Sequence, residues 1–148
     1  MKTVYLAGLI STTAMESIQW RREAEIFLRE ASVVLSPMRG KENLFKETSD
    51  GGVTSNVLTN SDVIIRDYND IVHSDVILAN LELFGSERPM IGTFCELAWA
   101  WEHHIPVVAV ASVTNVLMRT HPFVSSAVSH YCSDLDSAVD ILLKHYLR

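Results

Sequence analysis

Glu96 is the residue of this chain whose type and surroundings point most sharply to chemistry. It stands in Gly92-Thr93-Phe94-Cys95-Glu96-Leu97-Ala98-Trp99-Ala100-Trp101, a stretch that is apolar on nearly every side of a helix and so implies burial. No Lys or Arg lies one helical turn away to pair with it. A buried carboxylate without a partner is costly, and it either shifts its pKa or is held ionised by nearby donors. A place in the first helical turn, beside free backbone amides, would supply such donors. A plainer reading stands beside this one. Thr93-x-x-Glu96 spells a capping box, in which Glu96 would only bond back to the Thr93 amide.

Other residues that could do chemistry say less. Asp67, Asp70 and Asp75 could suggest a divalent ion, but carboxylates at a helix end are more often solvated, and Asp67 also reads as an ordinary exposed helix carboxylate. The six histidines show none of the metal-binding spacings, and adjacent His103 and His104 diverge on a helix. No metal site is expected. No Gly-x-Gly-x-x-Gly follows the first strand and no Gly-Lys-Ser/Thr loop exists, which excludes a dinucleotide or a triphosphate bound in the usual ways. The chain is expected to work without a cofactor. Cys95 and Cys132 sit in apolar segments without Cys-x-x-Cys spacing and read as two buried thiols in a reduced, cytoplasmic setting.

The elements that must position Glu96 follow from hydrophobic patterning. Residues 75–81 carry the run Val76-Ile77-Leu78-Ala79, too short for an independent helix, and predict a central strand covered on both faces. A loop with Gly85 and Pro89 then leads into a helix over about 92–104, so Glu96 falls just past the carboxyl end of a parallel strand. In open α/β sheets that edge is where ligands bind.

Towards the amino terminus, residues 3–8 predict a buried first strand closing on Gly8. Thr13-x-x-Glu16 resembles a capping box opening a helix to about Ala31, with Ile18, Ala24, Phe27 and Leu28 facing the sheet and Arg21, Arg22, Glu23 and Arg29 facing out. Residues 32–36 predict a strand stopped by Pro37. Residues 38–60 are polar, contain Gly40, Gly51 and Gly52, and have no period, which suggests a functional or mobile loop bordering the pocket. A helix is expected over 61–73, a strand over 105–111, a short helical stretch near 115–118, a weak strand near 128–132, and a last helix opened by Asp134 with Leu135, Val139, Leu142 and Leu143 inward. Strands alternating with helices predict a flavodoxin-like, doubly wound α/β domain with a parallel sheet.

The chain's 148 residues fit one domain, residues 1–148, with one substantial core. Apolar residues at 48% and charged residues at 20% are ordinary for a globular protein. The apolar run at residues 4–10 is far below spanning length and lacks signal-peptide features, so neither a membrane span nor export is expected. A net charge of −6 with 12 scattered basic residues leaves no footprint for a nucleic-acid polymer.

Taken together, Tyr5-Leu6-Ala7-Gly8, an Asp67 eight residues before Asp75, and Gly92-Thr93-x-x-Glu96-Leu97-x-x-Ala100 resemble the nucleoside 2-deoxyribosyltransferase family, with its related nucleoside 5′-monophosphate N-glycosidases. The likeness runs from the first strand to the helix after Glu96. It implies a flavodoxin-like fold and cleavage of an N-glycosidic bond. By position, Glu96 would be the nucleophile at the anomeric carbon, Tyr5 the hydroxyl that orients it, and Asp67 the carboxyl handling the proton of the leaving base. Gly8, Leu9, Met90, Gly92 and Thr93 would lie at the substrate. The family also completes each pocket from a neighbouring subunit in a homo-oligomer, for which Asn115 fits by spacing and His121 is the rival.

One departure stands out. Six residues before the nucleophile the transferases tend to carry Asp for the sugar 5′-hydroxyl and the nucleotide hydrolases Ser for the 5′-phosphate, but this chain has Met90. A thioether is a poor partner for either, so 5′ recognition comes from elsewhere or is absent, with Ser86, Arg88, Thr93 and the loop from Gly8 to Ser11 as candidates. The expected activity is transfer of a deoxyribosyl group between nucleobases. The alternatives are nucleoside 5′-monophosphate hydrolysis, favoured if Arg21, Arg39, Lys41 or Arg88 faces the pocket, and a non-catalytic nucleotide-binding domain. Tyr5, Phe94 and the loop around Leu83 and Phe84 are expected to wall the base.

Overall fold

The computed structural model describes residues 1–39, 45–47, 53–55 and 57–148. Five parallel strands form its centre in the order β2-β1-β5-β6-β7, built from β1 (Lys2–Gly8), β2 (Ser32–Leu35), β5 (Val76–Asn80), β6 (Val107–Val110) and β7 (His130–Cys132). The middle strands β1, β5 and β6 are apolar runs because both of their faces are covered.

Alternation along those strands sorts two cores. Tyr5, Ala7, Ile77, Ala79, Val107 and Ala109 point to one face, and α2 (Asn60–Val72), α3 (Ile91–Glu102), α4 (Val116–Thr120) and α5 (Pro122–Ser125) cover it through residues such as Ile71, Leu97, Ala100, Met118 and Val124. Val4, Leu6, Val76, Leu78, Val108 and Val110 point to the other, covered by α1 (Glu16–Leu28) and α6 (Leu135–Ile141), which continues as a π-helical turn over Leu142–Tyr146. The expected flavodoxin-like, doubly wound sheet is therefore present. The chain leaves β1 towards β2 on one side and returns to β5 on the other, so the strand order reverses between β1 and β5. Gly8 and Asn80 pair at the carboxyl end of that seam, which is where such sheets bind ligands.

Several local expectations are corrected. Helix α1 has Met15 at its N-cap without a side-chain cap bond, so the Thr13-x-x-Glu16 box does not form. Its start is instead held by a serine cluster, with the Ser11 amide bonded to Ser17 Oγ at 3.0 Å. Its inner stripe is Ser17, Trp20, Arg21, Ala24 and Leu28. Phe27 lies at 51% exposure rather than against the sheet, and Arg21, expected outside, is only 2% exposed.

Helix α2 opens on a box that was overlooked, Thr59-x-x-Asp62, with Asp62 bonding back to the Thr59 amide. The region taken as a single irregular loop contains β3 (Phe45–Glu47) and β4 (Val53–Ser55), paired antiparallel. Strands of three residues are too short for alternation to register. Residues 40–44, 48–52 and 56, Lys41 among them, lie outside the described residues. Cys132 is buried, but Cys95 is exposed, because α3 turns it away from the sheet.

Candidate active site

Helix α3 begins at Ile91, immediately after the β5 loop, with the Phe94 amide already bonded to Met90 O at 3.0 Å. Thr93 is thus a helical residue rather than an N-cap, and the Thr93-x-x-Glu96 box does not form. Glu96 lies in the second turn, beyond reach of the free amides at the helix start. What meets it comes from the sheet: the Tyr5 hydroxyl donates to Glu96 Oε1 at 2.7 Å. Tyr5 can do this because β1 alternation points it at the α3 face and pairing with β5 fixes its height. The ring is fully buried, and burial, with Glu96 and then Asp67 adding to it, raises the phenol pKa well above its ordinary value. Tyr5 therefore stays protonated and its hydroxyl remains a donor.

Glu96 at 8% exposure and Asp67 at 9% open on one cleft, together with Gly8, Leu9, Ile10, Pro37, Arg88, Pro89, Met90, Ile91, Gly92 and Thr93. Asp67 comes from the inner side of α2. Arg66 holds its Oδ1 through Nη2 at 2.9 Å and Nε at 3.2 Å, and also donates to Pro37 O and Arg39 O, both at 2.9 Å. That guanidinium fastens the chain after β2 to the helix that bears Asp67. Asp67 is thus not the solvated helix carboxylate of the plainer reading.

The fold gathers most of the residues expected at a site. Tyr5, Asp67 and Glu96 are together, and Gly8, Leu9, Met90, Gly92 and Thr93 line the cleft. Asn115 does not line it in this chain. It caps α4, accepting from the Met118 amide, and its Nδ2 donates to Leu81 O at 3.1 Å. His121 caps α5 and lines a separate apolar cavity of about 410 Å³ with Phe94, Leu117 and Phe123. Phe94 therefore faces away from Glu96, and Phe84 packs in the core on the opposite side of the sheet. The apolar residues that line the cleft are instead Leu9, Ile10, Pro37, Pro89, Met90 and Ile91.

Of the cations weighed for a phosphate, Arg88 lines the cleft and donates to Ile10 O at 3.1 Å, while Arg39 pairs with Asp70 at 2.9 Å. Arg21, weighed as a phosphate cation and expected on the outer face of α1, does not line the cleft but lies beneath its wall, bonded to Gly8 O and Leu9 O. Its signal was present in the sequence, since position 21 continues the buried spacing of Ser17, Ala24 and Leu28.

A flavodoxin-like α/β protein with a tyrosine-bonded carboxylate and a second carboxylate at the reversal of strand order is what the fold and the cleft define. The fold is shared with three solved structures. A 2-desoxiribosyltransferase from Leishmania mexicana superposes with a TM-score of 0.68 at 16% identity, covering 99% of this chain and 100% of that one. The CMP N-glycosidase BcmB from Clostridium botulinum gives 0.59 at 17% identity, covering 95% and 98%. A conserved protein from Enterococcus faecalis V583 gives 0.54 at 15% identity, covering 97% and 87%. No protein-family model and no curated protein matches the sequence. The first two structures carry the two activities that the sequence resemblance implies, and at these identities the likeness is one of fold.

Proposed function

We propose that this protein cleaves the N-glycosidic bond of a 2′-deoxynucleoside through a glycosyl ester on Glu96 and passes the deoxyribosyl group to a second nucleobase. The observation that carries the reading is the 2.7 Å bond from Tyr5 to Glu96 in a cleft shared with Asp67. In the first step a Glu96 carboxylate oxygen attacks the anomeric carbon, the bond from that carbon to the base nitrogen breaks, and its electron pair leaves with the base. Asp67 handles the proton that the departing nitrogen takes up. In the second step a nitrogen of the incoming base attacks the same carbon, gives its proton to the Asp67 carboxylate left by the first step, and releases Glu96 as carboxylate, so configuration is retained. Tyr5 holds one carboxylate oxygen and so restricts the rotation of the attacking group.

The described residues enclose about 180 Å³ at the cleft, below the ~300–1,000 Å³ usual for small-molecule pockets. That volume suits a sugar and leaves much of the base to other walls. It supports the further reading that a neighbouring subunit completes the pocket, with Asn115 or His121 as the contributor.

A second reading, hydrolysis of a nucleoside 5′-monophosphate, is favoured by Arg88. This side chain borders both the cleft and an open groove formed with Thr13, Gly85, Ser86, Glu87 and Pro89. A guanidinium there suits an anionic 5′ group better than the Met90 thioether does.

The deciding experiment incubates the protein with a panel of nucleosides and 5′-monophosphates, with and without a second free base, and follows products by chromatography. A new nucleoside formed only with the added base supports transfer. Sugar or sugar phosphate released at the same rate regardless of added base sinks transfer and promotes hydrolysis. No base release from any member ends both readings and leaves a binding domain.

A further inference from the structure

Arg21 is a fully buried cation that the chemistry above does not use. Its Nη2 donates to Gly8 O at 2.7 Å, and its Nη1 to Leu9 O at 3.1 Å and Ser17 O at 2.6 Å, while the guanidinium stacks over the Trp20 ring at 4.7 Å. Two of these carbonyls belong to the turn that walls the Glu96 cleft. Neutral carbonyls do not require a full charge, since an amide side chain could bond them, and burying a guanidinium is expensive. Desolvation indeed pulls Arg21 down to about 10, and the groups that oppose it are Glu96 first, then Tyr5, Asp67 and Glu25. The charges of the site offset part of that cost, and the net shift stays downward.

We propose that Arg21 is a positioning residue of the Glu96 site, tying down the Gly8–Leu9 turn and supplying the buried positive charge against which Glu96 stands as an anion. This rests on Glu96 being the reacting carboxylate. Among the described residues, the charged and titratable groups that share the cleft or its wall with Glu96 are Tyr5 from β1, Arg21 from α1, Asp67 with its partner Arg66 from α2, and Arg88 from the loop before α3, while Glu25 acts on Arg21 from α1. Among them, Arg66 is bonded to Asp67, whereas Arg21 reaches the cleft through its wall.

The test follows the Glu96 side-chain carboxyl by ¹³C NMR across pH in the whole protein, with kcat/KM measured on the same samples. Replacing Arg21 by Gln should move the Glu96 midpoint to higher pH, because the anion loses a cation. It should also lower kcat/KM on the order of 10–100-fold through the loosened turn. Arg21→Lys should keep the midpoint near that of the wild type and recover part of the rate. A Glu96 midpoint unchanged in folded Arg21→Gln overturns the proposal. If that variant does not fold, the wild type and Glu96→Gln are compared by the Arg21 guanidinium resonances. A displaced signal supports the coupling and coincident signals overturn it. A wild type that releases no base from any nucleoside or nucleotide overturns the enzymatic reading, while the Glu96 midpoint still decides the role of Arg21.

Discussion

The Tyr5 hydroxyl is a donor across the whole working pH range, because burial first and Glu96 second raise its pKa. Its contribution to the proposed mechanism is therefore orientation of Glu96 rather than proton exchange. Replacing Tyr5 by Phe removes the 2.7 Å bond but keeps the ring in the core. Turnover is expected to fall on the order of 10²-fold, as for loss of one positioned donor, and stability by about 1 kcal/mol. Steady-state kinetics beside a thermal melt checks both, and unaltered turnover would remove Tyr5 from the mechanism. Tyr5, Asp67 and Glu96 were legible as a set only through their order and spacing, since each alone has an ordinary structural use. Arg21 was legible only in part, since position 21 continues the buried spacing of Ser17, Ala24 and Leu28 but an arginine reads as an outward residue. Here its donors satisfy carbonyls of a turn that is distant in sequence.

At the scale of elements, the seam between β1 and β5 and the opening of α2 make separate predictions. A Cβ on Gly8 would stand 2.8 Å from Asn80 O and 3.1 Å from Trp20 Cζ2. The strands and the Trp20–Arg21 pair would have to shift, so Gly8→Ala should cost about 1–3 kcal/mol by overpacking and reduce turnover. A melting temperature and rate equal to wild type would mean that the turn is looser than its contacts indicate.

In α2, Asp62 is held below the ordinary carboxyl range by the Thr59 hydroxyl and then by the Thr59 amide. A depressed folded-state pKa gives stability that is present above the unfolded value and is lost as pH falls through the folded one. Asp62→Asn should therefore melt below wild type at neutral pH, and the gap should close in acid as the pH falls through the depressed Asp62 pKa. A gap independent of pH would contradict the box. The central strands were readable because buried parallel strands are unbroken apolar runs. The false box at Thr93 was not excluded by its motif, because what decides is where the helix starts, and Met90 O already accepts a helical bond two residues after the loop's Arg88.

Exposed apolar groups are spread over the molecule, Ile26 and Phe27 on α1 and Ile64 and Ile65 on α2 among them, and one set lies on the α3–α5 side. Phe123 is 87% exposed, Leu117 63% and Trp101 62%. Together with the partial enclosure of the cleft, this supports a self-associating protein. Sedimentation equilibrium should find an oligomer that Phe123→Glu weakens towards monomer, whereas a wild type that is monomeric at every concentration would remove the neighbour from the site. The doubly wound order was legible from strand and helix alternation. Which apolar residues stay exposed was not, because exposed and buried apolar residues look alike in a sequence, as Phe27 and Phe94 show. In the proposed mechanism the fold holds one carboxylate at a reacting carbon, and the most direct measurement is base release by Glu96→Gln alongside its melting temperature. The amide cannot attack an anomeric carbon, so turnover is expected to drop by orders of magnitude while the melt stays close to wild type. Near-normal release of base by a folded Glu96→Gln protein would contradict the covalent mechanism.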